Sequence, residues 1–123
     1  MLFADISDFE KITTEEDNNL INLLDSLYRI FDQLCNKNNI QKIETVGKTY
    51  MACSGLRECE MGLRMDRSGM KNSADRIVAL ANEMIKYASH HTWGQNGNNI
   101  KLKIGIYFQL NFHMLLTQRL KNF

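Results

Sequence analysis

Residues 42–56 read KIETVGKTYMACSGL and suggest two short strands joined by a tight turn. The runs Ile40–Val46 and Thr49–Ser54 are rich in β-branched and aromatic residues, which favour strands. Only Gly47-Lys48 separates them, and a two-residue connection that contains glycine is typical of a β-hairpin. We therefore predict a hairpin here, with Gly47 in a positive-φ conformation.

An amphipathic helix is predicted on each side of this hairpin. In the first, leucines, Ile30 and Phe31 recur every three or four residues over 20–34, with Thr14 or Asp17 as the N-cap. Residues 36–39 are suited to a left-handed turn at its end. Ser73 is the predicted N-cap of the second helix. The apolar face of that helix comprises Ile77, Val78, Leu80, Ala81, Met84, Ile85 and Ala88.

Two further strands are predicted outside the helices. MLFADI, residues 1–6, is an apolar run that starts without a preceding turn, so we expect the chain to lack the beginning of this pattern. IKLKIGIYF, residues 100–108, alternates apolar and polar side chains. The order strand, helix, hairpin, helix, strand predicts an α+β fold of the ferredoxin-like kind, an antiparallel or mixed sheet with helices on one face.

Composition limits the chain to one domain and excludes several classes of function. A chain of 123 residues has room for one core, and its net charge of +1 gives no reason to expect a nucleic-acid partner. Its three cysteines form no CxxC pair, so we expect reduced thiols, a cytoplasmic location and no zinc site. No apolar run is long enough to cross a bilayer, so any membrane attachment is expected only through other segments of a parent protein.

Two stretches lack a clear pattern. Residues 56–72 are predicted to be a loop, in which Met61, Met65 and Met70 fill gaps or lie on the surface. A short amphipathic helix is possible in the tail, residues 109–123.

Three stretches together resemble consecutive motifs of the class III adenylate and guanylate cyclases: LFADISDF (2–9), IQKIETVGKTYMACSGL (40–56) and LKIGIY (102–107). The resemblance implies a truncated cyclase catalytic domain over residues 1–107, followed by a divergent tail over 108–123. In this family two catalytic halves pair head to tail, and a nucleoside triphosphate, GTP or ATP, is converted to a 3′,5′-cyclic monophosphate and pyrophosphate.

The resemblance implies a site for Mg or Mn at Asp5, assisted by the backbone carbonyl of Ile6. Two such cations can stabilise the charge that develops during ring closure, and they prefer oxygen ligands. The position of the family's second metal-binding aspartate holds Lys48, a degenerate metal position, so Asp5 alone should hold magnesium poorly. Lys48 is tolerable if a partner half holds the metals. Alternatively, Lys48 neutralises an anion or forms a salt bridge with Asp5, or Asp5 is an ordinary residue at a strand end.

Asp8 and Phe9 correspond to the family's phosphate loop. Many cyclases have glycine at the position of Asp8, which lets backbone N–H groups approach the triphosphate. A carboxylate at that position would repel phosphate. The alternative is that Asp8 caps a helix.

Glu44 occupies the family's base-binding position, which is Glu in guanylate cyclases and Lys in adenylate cyclases. A carboxylate can accept hydrogen bonds from N1–H and the exocyclic amino group of guanine, whereas N1 of adenine would repel it. The alternative is a solvent-facing glutamate on one side of a strand with Lys42 and Val46.

The family's transition-state residues have no match here. Tyr107 stands where the family has a histidine, and the surroundings of Asn111 and Arg119 do not fit the motif, so no catalytic residue is assigned. We predict a guanylate-cyclase-like half that is inactive alone and requires a second cyclase half. The alternative is a non-catalytic dimerisation or nucleotide-sensing module derived from a cyclase.

Overall fold

A computed structural model of the chain describes residues 1–55 and 72–108. Its strands are β1 (Leu2–Ile6), β2 (Gln41–Val46), β3 (Thr49–Cys53), β4 (Thr92–Trp93), β5 (Asn98–Asn99) and β6 (Leu102–Ile106). Its helices are α1 (Phe9–Glu15), α2 (Leu20–Lys37) and α3 (Ser73–Ala88). The predicted loop with its methionines and the predicted tail helix lie outside the described residues.

The main sheet has four antiparallel strands in the order β2-β3-β1-β6. The first strand in sequence is thus central, between the hairpin and the last strand. This is the arrangement expected when two helical crossovers connect the strands of a βαββαβ unit. The predicted α+β, ferredoxin-like fold is confirmed, and the described strands of the main sheet are all antiparallel.

The helices α2 and α3 cover one face of this sheet, as predicted. Strand residues that point towards them, including Leu2, Ala4, Tyr50 and Ala52, are almost fully buried. The helices contribute the other half of the core, which includes Leu27, Phe31, Leu34, Ile77, Leu80 and Met84. Burial of these apolar side chains is the main stabilising contribution to the fold.

The predicted N-caps are wrong by a few residues. Thr14 lies inside α1, and its hydroxyl donates to the backbone carbonyl of Glu10 at 3.0 Å, a bond typical of helix interiors. The N-cap of α2 is Asn19, whose side chain makes no capping hydrogen bond. Helix α3 is capped by Asn72, whose side chain accepts from the amide of Asp75 at 2.8 Å.

The region between α3 and β6 forms a small two-stranded ribbon, β4–β5. Gly94 has a φ of +75° in this ribbon, and its amide donates to the carboxylate of Glu16 at 2.6 Å. The bond connects the ribbon to the end of α1. Strand β6 begins at Leu102, two residues later than the alternation suggests, although Ile100 is buried in the core.

The face of the sheet away from α2 and α3 is called the distal face here. Because side chains alternate along a strand, the register places on it residues from all four strands. They include Phe3, Asp5, Glu44, Val46, Thr49, Met51, Cys53, Lys103 and Gly105. Asp5 and Glu44, two of the residues that the cyclase resemblance singles out, therefore lie on one face of the sheet.

None of the helices within residues 1–55 and 72–108 is both long and apolar enough to cross a membrane.

Candidate functional site

Asp5 lies near the end of β1, directly opposite Thr49 of the hairpin. Its side chain is half-buried, and its Oδ1 accepts a hydrogen bond of 2.7 Å from the Thr49 hydroxyl. The next amide, that of Ile6, donates to the carbonyl of Lys48 at 3.1 Å. The structure thus brings the predicted metal position and the turn together.

Lys48 extends into solvent and makes no ion pair with Asp5. The ion pairs in the described part of the chain join other residues. The alternative in which Lys48 forms a salt bridge with Asp5 is therefore wrong for the isolated chain. The reason is geometric, because Lys48 is an exposed turn residue whose contact with β1 runs through its backbone carbonyl.

The turn itself is held by α2. Gly47 has a φ of +55°, as predicted, and its carbonyl accepts a hydrogen bond of 2.8 Å from the Tyr28 hydroxyl. Burial, together with the negative charge of Asp5, raises the pKa of Tyr28 to about 12. The sequence analysis missed Tyr28. The available signal was an aromatic residue with a polar tip four positions after Leu24, on the predicted apolar face.

Glu44 lies on the distal face because of a β-bulge. The pairing of β2 with β3 shifts between Lys42 and Glu44, so that Lys42 is opposite Ala52 and Glu44 is opposite Met51. Lys42 therefore faces the helices, where its Nζ lies 3.1 Å from a carboxylate oxygen of Asp32. The predicted alternation of Lys42, Glu44 and Val46 is wrong for Lys42, because the extra residue turns it to the helix side, whereas Glu44 and Val46 share one side.

The Glu44 carboxylate is available for a ligand. Its residue is half-buried, and its side chain makes no hydrogen bond or ion pair with any residue of 1–55 or 72–108. Hydrogen bonds from a pair of N–H donors stabilise a complex more when the accepting carboxylate is half-buried than when it is fully solvated.

Asp8 adopts the left-handed conformation, with φ +56° and ψ +31°. It occupies the N-cap of α1, but its side chain makes no capping hydrogen bond; only its backbone carbonyl accepts, from the amide of Ile12 at 3.1 Å. The predicted helix cap at Asp8 is thus confirmed for the position and the backbone, but not for the carboxylate. A positive φ is the conformation that favours glycine, which agrees with the residue that many cyclases have at this position.

The half-buried ring of Phe9 packs against the core. Only the main chain of Phe9 is therefore left to contribute to a site at Asp8. Asp8 also borders a surface cleft of about 470 Å³ between the start of α1 and the β4–β5 ribbon. The cleft is lined by Ser7, Asp8, Lys11, Trp93, Gly97, Asn98, Asn99 and Lys101.

The side chains present do not fit a two-metal site. Within residues 1–55 and 72–108, no group of three or more His, Cys, Asp or Glu side chains could hold a metal ion. Asp5 offers one carboxylate, one oxygen of which is already hydrogen-bonded to Thr49. Lys48 contributes an ammonium group, which has no lone pair.

The comparison with known proteins identifies a family. The sequence model described as "Adenylate and Guanylate cyclase catalytic domain" matches residues 1–113. The head-specific guanylate cyclase of Drosophila melanogaster is 30% identical over 108 residues, and the guanylate cyclase soluble subunit alpha-1 of Rattus norvegicus is 31% identical over 109. Each alignment covers 87% of this chain but only 14% of the relative, so the chain spans about one seventh of their length.

Solved structures show the same fold. The guanylate cyclase domain of RhGC from Catenaria anguillulae, in complex with GTP, superimposes with a TM-score of 0.64 at 21% identity, covering 89% of this chain and 60% of that one. The catalytic core of a rhodopsin-guanylyl cyclase with converted specificity, in complex with ATPalphaS, gives a TM-score of 0.67 at 23% identity, covering 85% and 52%. With its motifs, sheet order and family match in agreement, the chain belongs to the adenylate and guanylate cyclase catalytic domain family.

Proposed function

We propose that this chain is the guanine-recognising half of a nucleotide cyclase site that converts GTP to cyclic GMP and pyrophosphate in cyclic-nucleotide signalling. The observation that carries the proposal is the position of Glu44. Its carboxylate is half-buried, unengaged by the described residues, and on the same face of the sheet as Asp5.

The chemistry of the base edge favours guanine. Guanine presents two adjacent N–H donors, which one carboxylate can accept together, and such charge-assisted pairs are stronger than neutral ones. Adenine presents an acceptor at the corresponding ring nitrogen, so Glu44 would repel it. ATP is therefore the poorer substrate in this proposal.

A second cyclase half supplies the metal-binding carboxylates and the transition-state groups. Lys48 replaces the second carboxylate of this half, so that Asp5 and the Ile6 carbonyl form at most a weak site for Mg or Mn. The main chain at Asp8 and Phe9 lies beside the triphosphate, where the Asp8 carboxylate weakens phosphate binding. Each of these assignments stays a prediction from the resemblance.

The names of the solved relatives support a nucleotide substrate and a paired assembly. One relative is a guanylate cyclase domain in complex with GTP, and another is described as a non-canonical dimeric guanylyl cyclase domain from Blastocladiella emersonii. We extend both properties to this chain as part of the proposal. We also propose that the domain acts in the cytoplasm, that any membrane attachment comes from other segments of a parent protein, and that a divergent tail begins at residue 108.

The proposal is tested by measuring cyclic GMP and cyclic AMP formation from GTP or ATP with manganese. The 123-residue chain is assayed alone and mixed with a cyclase half that retains both metal aspartates but has a disabled base pocket. We expect no turnover from the chain alone and cyclic GMP formation from the mixture. Robust turnover by the isolated chain, or a mixture that prefers ATP, would contradict the proposal.

A non-catalytic nucleotide-sensing module is the second candidate. It is favoured by the hydrogen bond from the Thr49 hydroxyl to Asp5, because this bond engages an oxygen that a catalytic metal ion would need. It predicts saturable GTP binding without chemistry, even in the mixture. Calorimetry of the mixture, with and without magnesium, measures GTP binding, and the cyclic-nucleotide assay measures product. GTP binding by the mixture without product formation supports sensing.

A further inference from the structure

The surroundings of Asp5 differ from those of a metal ligand. On one side, the Thr49 hydroxyl donates to Oδ1 at 2.7 Å. On the other side, the register places Lys103 of β6 directly opposite Asp5 on the distal face. Lys48, in the turn next to Thr49, accepts through its backbone carbonyl a hydrogen bond from the amide of Ile6.

This environment gives the Asp5 carboxylate a hydrogen-bond donor from within the chain. Side chains directly opposite each other in an antiparallel pair have Cβ atoms about 4.5–5.5 Å apart, which brings Lys103 within electrostatic range of Asp5. The Thr49 hydroxyl uses one of the lone pairs that a divalent ion would need. The Lys103 ammonium group on the adjacent strand would also repel an incoming Mg²⁺ or Mn²⁺.

We propose that Thr49 is a positioning residue that takes the place of a metal ion at Asp5, holding the carboxylate in its strand and disfavouring a divalent cation in this half. One consequence, which rests on the proposed function, is that this half binds its share of the nucleotide without a metal of its own. The Thr49–Asp5 relationship itself does not depend on which nucleotide binds.

The test measures Mn²⁺ binding to the 123-residue chain by electron paramagnetic resonance of the free ion, with no nucleotide present. Lys48→Asp provides a background in which two carboxylates are available. In that background we expect Thr49→Val to tighten Mn²⁺ binding roughly tenfold, because a competing charge-assisted hydrogen bond is removed. Thr49→Ser, which keeps the hydroxyl, should leave the affinity of Lys48→Asp unchanged.

The matched control is Thr45→Val in the same background. Thr45 belongs to β2 and lies opposite Tyr50, on the helix side, so its methyl replacement should not alter Mn²⁺ binding. If Thr49→Val does not fold, as judged by circular dichroism, Thr49→Ala is measured in its place. An unchanged or weaker Mn²⁺ affinity on removing the Thr49 hydroxyl, or a Thr49→Ser variant as tight as Thr49→Val, overturns the proposal.

Failure of the guanine assignment is detected separately. Calorimetric titration of the unaltered chain with GTP in excess chelator measures nucleotide binding without a metal ion. Mn²⁺ results as expected with no GTP binding would sustain the role of Thr49 and remove the nucleotide consequence.

Discussion

The hydroxyl of Tyr28 donates to the carbonyl of Gly47 across 2.8 Å, a contact between residues 19 positions apart. The neighbouring carbonyl, that of Lys48, accepts from the amide of Ile6 at 3.1 Å. The turn is thus bonded to α2 through one carbonyl and to β1 through the next. These two bonds and the pairing of Asp5 with Thr49 place position 48 near Asp5.

Removing the Tyr28 hydroxyl should destabilise the fold. We expect Tyr28→Phe to lower the free energy of unfolding by about 1 kcal/mol, the net value of a typical intramolecular hydrogen bond. Urea denaturation measures this. Tyr87→Phe is the matched control, because no hydrogen bond of the Tyr87 hydroxyl occurs in the described part of the chain, and it should change stability by less than about 0.5 kcal/mol. Equal losses in the two variants would contradict a role for the Gly47 contact.

The same hydroxyl makes stability depend on pH in the alkaline range. The pKa of Tyr28 is raised to about 12 in the folded chain, from about 10 in the unfolded chain. Between these values the unfolded chain binds fewer protons, so stability falls as pH rises. Denaturation midpoints from pH 9 to 12 should therefore decline less steeply for Tyr28→Phe than for the unaltered chain. Tyr50, whose pKa burial also raises, contributes to the decline in both proteins.

Glu44→Lys should shift the base preference of the mixed pair from guanine towards adenine. A lysine removes the acceptor for the guanine N–H groups and offers donors to adenine instead. We expect the ratio of cyclic GMP to cyclic AMP initial rates to fall roughly tenfold or more. Asp25→Lys reverses the same charge on the exposed side of α2 and should leave the ratio unchanged. An unchanged ratio for Glu44→Lys would remove this residue from the base site.

Asp8 has a positive φ, which affects stability, and a negative charge, which would affect nucleotide binding; substitutions can separate these two effects. Because its φ is +56°, Asp8→Gly should be more stable than Asp8→Ala by about 1 kcal/mol, although both variants lose the same charge. Asp8→Asn retains a residue type that tolerates this conformation and removes only the charge. Thermal denaturation checks the first effect. If Asp8 lies beside the triphosphate, calorimetry should show tighter GTP binding for Asp8→Asn; equal affinity would place the nucleotide elsewhere.

The approach of the β4–β5 ribbon to the end of α1 can be tested at Gly94 and Gly97 of the ribbon turn. A Cβ at Gly94 would contact the carboxylate of Glu15, whereas a Cβ at Gly97 would meet no atom within 4 Å. Both glycines have positive φ, so Gly94→Ala and Gly97→Ala share the backbone cost. Because the contacting atom is the end of an exposed, flexible side chain that can turn away, we expect Gly94→Ala and Gly97→Ala to lose similar stability in urea denaturation, within about 0.5 kcal/mol. A clearly larger loss for Gly94→Ala would show that the Glu15 side chain is held against the ribbon.

Much of the fold was predictable because the elements have clear periodic patterns. The leucines of α2, the apolar face of α3 and the alternation of β6 each require burial on one side, which leaves few ways to combine them. Gly47 was also predictable, since a two-residue hairpin turn requires a positive φ that glycine adopts at little cost. The caps at Asn19 and Asn72 were missed because several polar residues stand next to each other at both helix starts, and local preference does not distinguish them.

The candidate site was predictable only in part. The residue types at positions 5, 8, 44 and 48 were visible from the motif, and so was the loss of the second metal carboxylate. The bulge that moves Glu44 to the distal face was not, because it depends on how β2 aligns with β3 and on the contact of Lys42 with Asp32. The contacts of Tyr28 with Gly47 and of Thr49 with Asp5 join residues far apart in sequence.

By itself, the sequence determined the order of the strands and helices and the chemical character of each motif position, since both depend on residue types and their local spacing. Tertiary structure decided which side of the sheet Glu44 occupies and what holds Asp5 and the turn in place. The physical reason is that register and hydrogen bonds between strands depend on packing across the whole sheet, where a shift of one residue reverses the direction of a side chain.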